Sequence, residues 1–423
     1  MRSIGQHRQD IEALVEPVVR PSALRFPGPE AVAVDDLAAD TGAGHGYRVL
    51  GRAVGSPIPL PPFDNSQMDG FAVRAADAGS TLRVVAPIPA GVVPAPLAPG
   101  SAAPIMTGAR IPDGADAVFP VEATLPGAFP AALSLASVDV PADLAPGTFV
   151  RATGSDLGVG ETIVDAGAAL TPAVLGALAS AGVTHVELVR RPRALVVSTG
   201  SELGGASAEA PGGGDGGGGG AGINDANGVA LRAALAEVGV ESRTVRVPDD
   251  EARFLSALDT AVGDWADLVL TTGGISAGAY EVVRQALEPR GLAVTPVAMQ
   301  PGGPQAFGTV EFAGRPVPVV SFPGNPVSAL VSFEVFLRPV LARAAGMPDA
   351  RPTQTLPAAS AATSPEGKHQ VRRGRVADGR VHFVGGPSSH LLAHYADATH
   401  LVHVPVGTAA VEPGDPLTVW SIR

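Results

Sequence analysis

The sequence of 423 residues contains no cysteine and a single lysine, Lys368. The absence of cysteine excludes disulfide bonds, thiolate catalysis, iron–sulfur clusters and cysteine-ligated zinc. Because arginine carries nearly all of the positive charge, an anion site has to use arginine, backbone N–H groups or a metal ion. The net charge of −12 argues against a nucleic acid as the main ligand, since binding a polyanion needs a basic surface.

Long apolar runs and aromatic residues are also scarce. No apolar stretch reaches the length of a membrane span, and the first residues, MRSIGQHRQD, lack the apolar core of a signal peptide. We therefore expect a soluble, cytoplasmic protein whose partners include neither membranes nor nucleic acids. Aromatic residues make up only 4% of the chain, so core volume must come mainly from Val, Leu and Ala.

The pattern of apolar residues changes near residue 193. Before it, residues 8–18 and 171–182 have helical spacing, and Thr171 with Pro172 is typical of a helix start. Short apolar runs between Gly and Pro predict a small all-β module over residues 63–147. After 193, alternating strands and helices predict a parallel sheet with helices on its faces. Beyond about residue 350, apolar alternation indicates strands of a final β domain.

The ends of the predicted parallel strands carry glycine and hydroxyl side chains. In an open parallel sheet, ligands bind at the carboxyl ends of the strands, and a glycine loop that leads into a helix offers backbone N–H groups to phosphate. One such loop is more often a tight turn, but three at successive strand ends favour a phosphate-bearing ligand. The three segments are Ser198-Thr199-Gly200-Ser201-Glu202, Thr271-Thr272-Gly273-Gly274-Ile275-Ser276-Ala277-Gly278 and Pro323-Gly324-Asn325-Pro326.

Acidic residues lie beside these loops, at Glu202, Asp225, Asp249 and Glu281. Carboxylates near bound phosphates usually hold Mg²⁺, whereas the simpler interpretation makes each of them a helix cap. The polar segment Phe63–Ala72 is equally open, because its Asp and Asn residues could form ordinary turns. Four histidines between 390 and 403 could bind a metal, but they are more typical of an exposed loop.

Taken together, seven segments resemble the MoeA/gephyrin family over essentially the whole chain. They are PPFDNSQMDGFAV (61–73), PIMTGARIPDGADAVFPVE (104–122), GSDLGVGETIVDAGAALTPAVLGALASAG (154–182), STGSEL, TTGGISAGAYEVV, PGGPQAFG and SFPGNPVSALVSFEVFLRP. Their number and order make the match specific.

The resemblance implies an α/β multidomain fold with four parts. They are an elongated N-terminal domain (1–62 and 148–191), an inserted β module (63–147), a parallel-sheet, MogA-like molybdopterin-binding domain (192–348) and a C-terminal β-barrel (349–423). Family members are homodimers whose site lies between the α/β domain of one subunit and the N-terminal loops of its partner.

The implied reaction inserts molybdate into adenylylated molybdopterin and releases AMP with the help of Mg²⁺. The molybdopterin adenylyltransferase and acceptor molybdoenzymes are the implied protein partners. Residues matched to family positions tied to activity are Asp69, Thr107, Asp156, Glu202, Asp249 and Glu281, with Glu202 and Glu281 as the Mg²⁺ ligands. Matched ligand-binding positions are Ser198, Thr199, Gly200, Thr272, Gly273, Gly274, Ser276, Gly278, Pro301, Gly302, Pro323, Gly324, Asn325, Pro326, Ser328, Arg373 and Ser389.

The chain also departs from the family at positions where lysine is usual. Pro296, Gln300 and Gly303 replace these lysines, so Arg284, Arg372 or Arg373 would have to supply the cations. This departure motivates an alternative hypothesis, a non-catalytic relative that binds the cofactor or scaffolds a partner. A third hypothesis, an unrelated nucleotide hydrolase, leaves the N-terminal motifs without explanation.

Overall fold

The computed structural model describes residues 1–20, 30–39, 49–199, 224–247, 250–275 and 281–423. The chain divides into two compact units. Unit 1 comprises Met1–Glu30, Asp40–Gly51 and Leu188–Arg423, and unit 2 comprises Ala31–Ala39 and Arg52–Glu187. Within the described ranges, no helix is both long and apolar enough to cross a membrane.

Helices in the described residues are α1 (Ile4–Val19), α2 (Val34–Ala39), α3 (Pro172–Ser180), α4 (Ala226–Glu237), α5 (Glu251–Val262), α6 (Val282–Leu287), α7 (Pro326–Ser332), α8 (Arg338–Ala344) and α9 (Leu392–Asp397). Strands are β1 (Glu30–Ala33), β2 (Val54–Gly55), β3 (Asn65–Ser66), β4 (Gly70–Val73), β5 (Thr81–Val84), β6 (Ser101–Ile105), β7 (Ala117–Pro120), β8 (Ser137–Asp139), β9 (Val150–Arg151), β10 (Thr162–Val164), β11 (His185–Leu188), β12 (Arg193–Thr199), β13 (Glu241–Val247), β14 (Leu268–Thr272), β15 (Ala293–Pro296), β16 (Met299–Gln300), β17 (Pro304–Phe312), β18 (Arg315–Phe322), β19 (Thr353–Pro357), β20 (Ala362–Thr363), β21 (His369–Ala377), β22 (Arg380–Phe383), β23 (His400–Val404), β24 (Ala410–Val411) and β25 (Pro416–Ser421).

Helix starts follow from local capping. The Thr171 hydroxyl accepts a hydrogen bond from the Val174 N–H, and Pro172 opens α3, as the sequence predicts. The start of α1 lies earlier than the spacing of 8–18 predicts. Ser3 forms a capping box with Gln6, which satisfies backbone N–H groups of the first turn.

A six-stranded sheet forms the centre of unit 1, in the order β13-β12-β14-β18-β17-β15. The first four strands are parallel, as predicted, and β17 and β15 extend the sheet in antiparallel orientation. One face packs against α1, α4, α7 and α8 through a cluster that includes Val196 and Phe322. The opposite face packs against α5 and α6 through a cluster that includes Val197 and Phe254. The predicted α/β architecture is thereby confirmed.

A second sheet of unit 1 follows the path β16-β21-β23-β25-β19, and β22 pairs with β21. This is the β-rich C-terminal region that the sequence predicts. The short strand β16 joins it in parallel with β21, so that Gln300 lies beside Gln370. A strand from the middle of the chain is therefore an edge of the C-terminal sheet.

Unit 2 contains a five-stranded sheet in the order β7-β4-β6-β5-β8. Its two faces bury separate clusters, one around Phe71 and Phe119 and the other around Ile105 and Val118. Residues 63–147, all of which are described, form strands and 3-10 turns without an α-helix. The predicted all-β content of this range is therefore observed, while the module's bounds at 63 and 147 stay a prediction.

Candidate functional site

The carboxyl ends of three parallel strands of unit 1 meet. The Gly273 N–H donates to the Phe322 carbonyl at 3.1 Å, and the Thr199 hydroxyl donates to the Thr272 carbonyl at 3.4 Å. A Cβ added to Gly324 would lie 3.3 Å from the Gly273 Cα. Gly273 and Gly274 have φ of 82° and 68°, a region that favours glycine. The ends of β12, β14 and β18 are thus packed against one another at one edge of the sheet.

Buried polar side chains support this edge. The Thr271 hydroxyl donates to the Ser321 hydroxyl at 2.8 Å, while the buried Ser198 Oγ has no hydrogen-bond partner among the described residues. Asn227, which the sequence analysis did not select, donates through Nδ2 to the Gly324 carbonyl at 2.6 Å. Its place in the first turn of α4, two residues after the Asp225 cap, was the available signal. The Asp225 carboxylate is that cap, accepting from the Gly228 N–H at 2.8 Å.

The segment with Pro301 and Gly302 is held by a buried glutamine. Gln305 Nε2 donates to the Gly302 carbonyl at 2.8 Å and to the Ser332 hydroxyl at 2.7 Å. On the other side, Gln370 Nε2 donates to Gln300 Oε1 at 2.7 Å. Gln300 stands where the family resemblance implies a lysine, and its side-chain amide pairs with Gln370 of β21 instead.

Two adjacent arginines of β21, Arg372 and Arg373, are buried, with 7% and 1% of their surface exposed. Arg372 donates to the Gly385 carbonyl at 3.1 Å; its guanidinium lies 4.7 Å from the centre of the Phe383 ring. Arg373 donates to the carbonyls of Gly386 and Ser388. In the part of the chain that the structure describes, neither guanidinium forms a salt bridge, and both Nε atoms lack a partner.

Burial lowers the pKa of both guanidiniums, and the charge of Arg372 lowers the pKa of Arg373 further. Arginine nevertheless stays charged at neutral pH. The segment that they hold leads to half-buried Ser389, whose carbonyl accepts from the Val327 N–H of α7 at 3.1 Å. This contact joins the arginine cluster to the strand-end loop of Pro323, where Ser328 is buried.

In unit 2, the structure pairs two of the predicted residues. Asp69 Oδ1 accepts from the Thr107 N–H at 2.7 Å and from the Thr107 hydroxyl at 2.8 Å. Asp156 is exposed in a turn, where its N–H donates to the Leu60 carbonyl at 2.9 Å. These three residues therefore lie on loops of the same unit.

The remaining predicted residues lie at helix starts or outside the described ranges. Asn325 is the N-cap residue of α7 without a side-chain cap bond, Pro326 opens that helix, and Glu281 is the N-cap residue of α6. Residues outside the described ranges are Gly200, Glu202, Asp249, Ser276 and Gly278. Among the described residues, no three His, Asp or Glu side chains are grouped as a metal site.

Three family models match consecutive parts of the chain. They are the MoeA N-terminal region (domain I and II) over residues 2–182, a "Probable molybdopterin binding domain" over 195–343 and the MoeA C-terminal region (domain IV) over 355–422. The predicted family is thereby confirmed along the chain.

Similar proteins agree with these matches. Molybdopterin molybdenumtransferase 2 of Mycobacterium tuberculosis is 42% identical over 393 residues, which cover 88% of this chain and 92% of that protein. Molybdopterin molybdenumtransferase of Synechococcus elongatus is 32% identical over 391 residues, covering 89% and 92%. The crystal structure of a molybdopterin biosynthesis MoeA protein from Pyrococcus horikoshii covers 100% of this chain and 99% of its own, with a TM-score of 0.75 and 26% identity. The chain belongs to the MoeA family of molybdopterin molybdenumtransferases, transferases of molybdenum cofactor biosynthesis.

Proposed function

We propose that this chain inserts molybdate into adenylylated molybdopterin, cleaving the pyrophosphate link and releasing AMP, in the cytoplasm. The observation that carries the proposal is the pair of buried guanidiniums of Arg372 and Arg373 beside Ser389, with which no carboxylate of the described residues pairs. Burying an uncompensated cation is costly, and a bound oxyanion would offset that cost. Molybdate is a tetrahedral dianion of suitable charge.

The strand-end loops suit the pterin and phosphate end of the substrate. Their backbone N–H groups and the hydroxyls of Ser198, Thr199 and Ser328 can hold phosphate without a lysine. The contact between the Val327 N–H and the Ser389 carbonyl puts these loops next to the arginine cluster. Two neighbouring anion sites are what the joining of molybdate to a phosphorylated pterin requires.

Magnesium fits the chemistry of the donors that the sequence offers. Mg²⁺ prefers one or two carboxylates together with substrate phosphates and water. Glu281, three residues before Arg284, whose N–H donates to the Gly274 carbonyl, would supply one carboxylate beside the strand-end loops. Glu202 is our candidate for the second. When bound, Mg²⁺ would neutralise charge on the departing phosphate.

Unit 2 would contribute from a second copy of the chain. We infer a homodimer in which Asp69, Thr107 and Asp156 of one subunit face the strand-end loops of the other. The molybdopterin adenylyltransferase would supply the substrate, and molybdoenzymes would receive the product.

A mixing experiment tests the shared site. Chains carrying Asp69→Asn and chains carrying Arg373→Gln should each be nearly inactive in AMP release from adenylylated molybdopterin with molybdate and Mg²⁺. Refolding or coexpressing them together should restore about a quarter of wild-type activity, because half of the dimers would hold one intact site. No recovery would contradict a shared site.

The same assay separates the enzyme from a non-catalytic relative. Wild-type chain that binds the pterin tightly but releases no AMP would overturn the proposed reaction. In that case, introducing Lys at Gln300 and Gly303 together should create turnover without improving binding. Position 303 can accept a side chain, since the nearest atoms to an added Cβ are 3.5 Å away.

A further inference from the structure

Two aspartates of the segment 61–73 make the same kind of contact with a threonine from a distant loop. Asp69 binds Thr107, as described above. Asp64 Oδ1 accepts from the Thr153 N–H at 2.7 Å and from the Thr153 hydroxyl at 2.7 Å. We call the second pair, Asp64 with Thr153, the Asp64 clamp. The resemblance gave it no role.

The Asp64 clamp lies at the start of the turn that carries Asp156. Two residues of this turn are tied to the strand-like segment before Asp64. The Gly154 N–H donates to the Pro61 carbonyl at 3.0 Å, and the Asp156 N–H donates to the Leu60 carbonyl at 2.9 Å. The clamp adds two short side-chain bonds at the start of this turn, next to a longer one that Arg151 Nη1 donates to Asn65 Oδ1 at 3.5 Å.

A carboxylate is well suited to this contact. The hydrogen bonds from the Thr153 N–H and hydroxyl lower the pKa of Asp64, and the charge of Arg110 contributes in the same direction. Asp64 therefore stays charged at neutral pH, and charge-assisted hydrogen bonds are shorter and stronger than neutral ones. The exposed side chain does not fill a core, so its contribution is to geometry rather than to packing.

We propose that Asp64 is a positioning residue: through Thr153 it fixes the turn Ala152–Leu157 and thereby directs the Asp156 carboxylate. The role rests on the proposed function, in which Asp156 faces the strand-end loops of the other subunit at the shared site. A displacement of about 1 Å at a reacting group can lower a rate about 100-fold, so a clamp remote from the chemistry can control turnover.

Kinetics of the full-length dimer test the clamp. Asp64→Ala and Thr153→Val should each lower kcat about 10- to 100-fold with a small change in KM, whereas Thr153→Ser, which keeps the hydroxyl, should stay close to wild type. Asp139→Ala is the matched control, because Asp139 accepts from the Thr81 hydroxyl at 2.6 Å in the same unit, away from the turn. It should leave kcat unchanged.

A double-mutant cycle distinguishes positioning from general damage. If Asp64 acts through Asp156, Asp64→Ala should have little further effect in an Asp156→Asn background. The proposal would be overturned if the fold losses in kcat of the two single variants multiplied fully in the double variant. It would also be overturned if Asp64→Ala kept the kcat of wild type.

Hydrogen exchange gives a readout that does not need turnover. The amides of Thr153, Gly154 and Asp156 should exchange at least about tenfold faster in Asp64→Ala and Thr153→Val than in wild type or Asp139→Ala. Unchanged exchange would reject the clamp even if activity fell. A wild-type chain without AMP release would instead reject the proposed function, while the exchange data would still decide whether Asp64 holds the turn.

Discussion

Unit 1 contains two clusters of arginine that differ in whether a carboxylate compensates their positive charge. Near the end of α7 and the start of α8, Glu334 receives two hydrogen bonds from Arg351, at 2.8 and 2.9 Å, and lies 3.8 Å from Arg338. On β21, Arg372 and Arg373 donate to main-chain carbonyls. The first cluster carries its own counter-charge, whereas the described ranges contain no carboxylate paired with the second.

The difference indicates what each cluster is for. A buried ion pair with satisfied hydrogen bonds is nearly neutral for stability, while an isolated buried charge destabilises the fold. We propose that the second pair of charges serves to bind an anion rather than to stabilise the fold. We therefore expect variants of the first cluster to change stability and variants of the second to change anion binding.

The largest expected effect is on stability. Glu334→Gln removes the buried carboxylate that buried Arg338 and half-buried Arg351 share, so the free energy of unfolding should fall by about 3–5 kcal/mol, as measured by urea denaturation. Glu237→Gln is the control. Glu237 also approaches Arg351, at 3.6 Å, but its side chain is 62% exposed, and a surface pair contributes about 0–1 kcal/mol. Equal losses of unfolding free energy in Glu334→Gln and Glu237→Gln would contradict the expected difference between the buried and the exposed carboxylate.

The next effect concerns the uncompensated cluster. Arg373→Gln should lower kcat/KM for molybdate-dependent AMP release about 100- to 1000-fold, the size seen when a positioned charge donor is removed. Its unfolding free energy should change less than that of Glu334→Gln. Arg375→Gln, on the same strand but exposed and paired with Asp397, should retain activity. A stability loss without an activity loss in Arg373→Gln would reverse the assignment of the two clusters.

A third way to bury a titratable group is to leave it uncharged, and His7 of α1 does so. It is 1% exposed against Phe307 and Phe336, and burial, followed by the charge of Arg2, lowers its pKa from 6.5 to about 4. Between these values the unfolded chain binds a proton that the folded protein does not. The free energy of unfolding should therefore fall as the pH falls from 6.5 to 4, by on the order of 3 kcal/mol.

His7→Leu should remove most of this pH dependence, which denaturation curves at pH 4, 5 and 6.5 would measure. Part of the slope should remain, because burial also lowers the pKa of His403 to about 3. If the unfolding free energy of His7→Leu depended on pH as steeply as that of wild type, His7 would not be the group responsible.

Much of the fold could be predicted because local signals agree with it. Thr171 and Pro172 start a helix, and Asp250 caps α5 by accepting from the Arg253 N–H. Strand β17 was not predicted, because its glycine and proline content is typical of a loop. Gly308 is needed there for another reason: an added Cβ would lie 2.1 Å from the Gly291 carbonyl oxygen, so a close backbone approach, not a turn, requires glycine.

The candidate site could be predicted as a set of residues but not as a set of contacts. Asp69 and Thr107 are 38 residues apart, and Asp64 and Thr153 are 89 apart. Only the folded sheet of unit 2 brings such pairs together. The support of Gly302 by Gln305 was not predicted either, because a glutamine within an apolar strand gives no local signal of its partner.

Strand β16 makes the C-terminal third of unit 1 inseparable from the rest. Because Gln300 pairs with Gln370 across β16 and β21, a truncation near residue 349 would expose a sheet edge and release the segment with Pro301 and Gly302. The N-terminus is tied to the same place, since the Arg2 N–H donates to the Pro296 carbonyl. The start of α1, strand β16 and strand β21 thus meet at one junction, so fragments cut at the apparent domain borders should be poor substitutes for the intact enzyme.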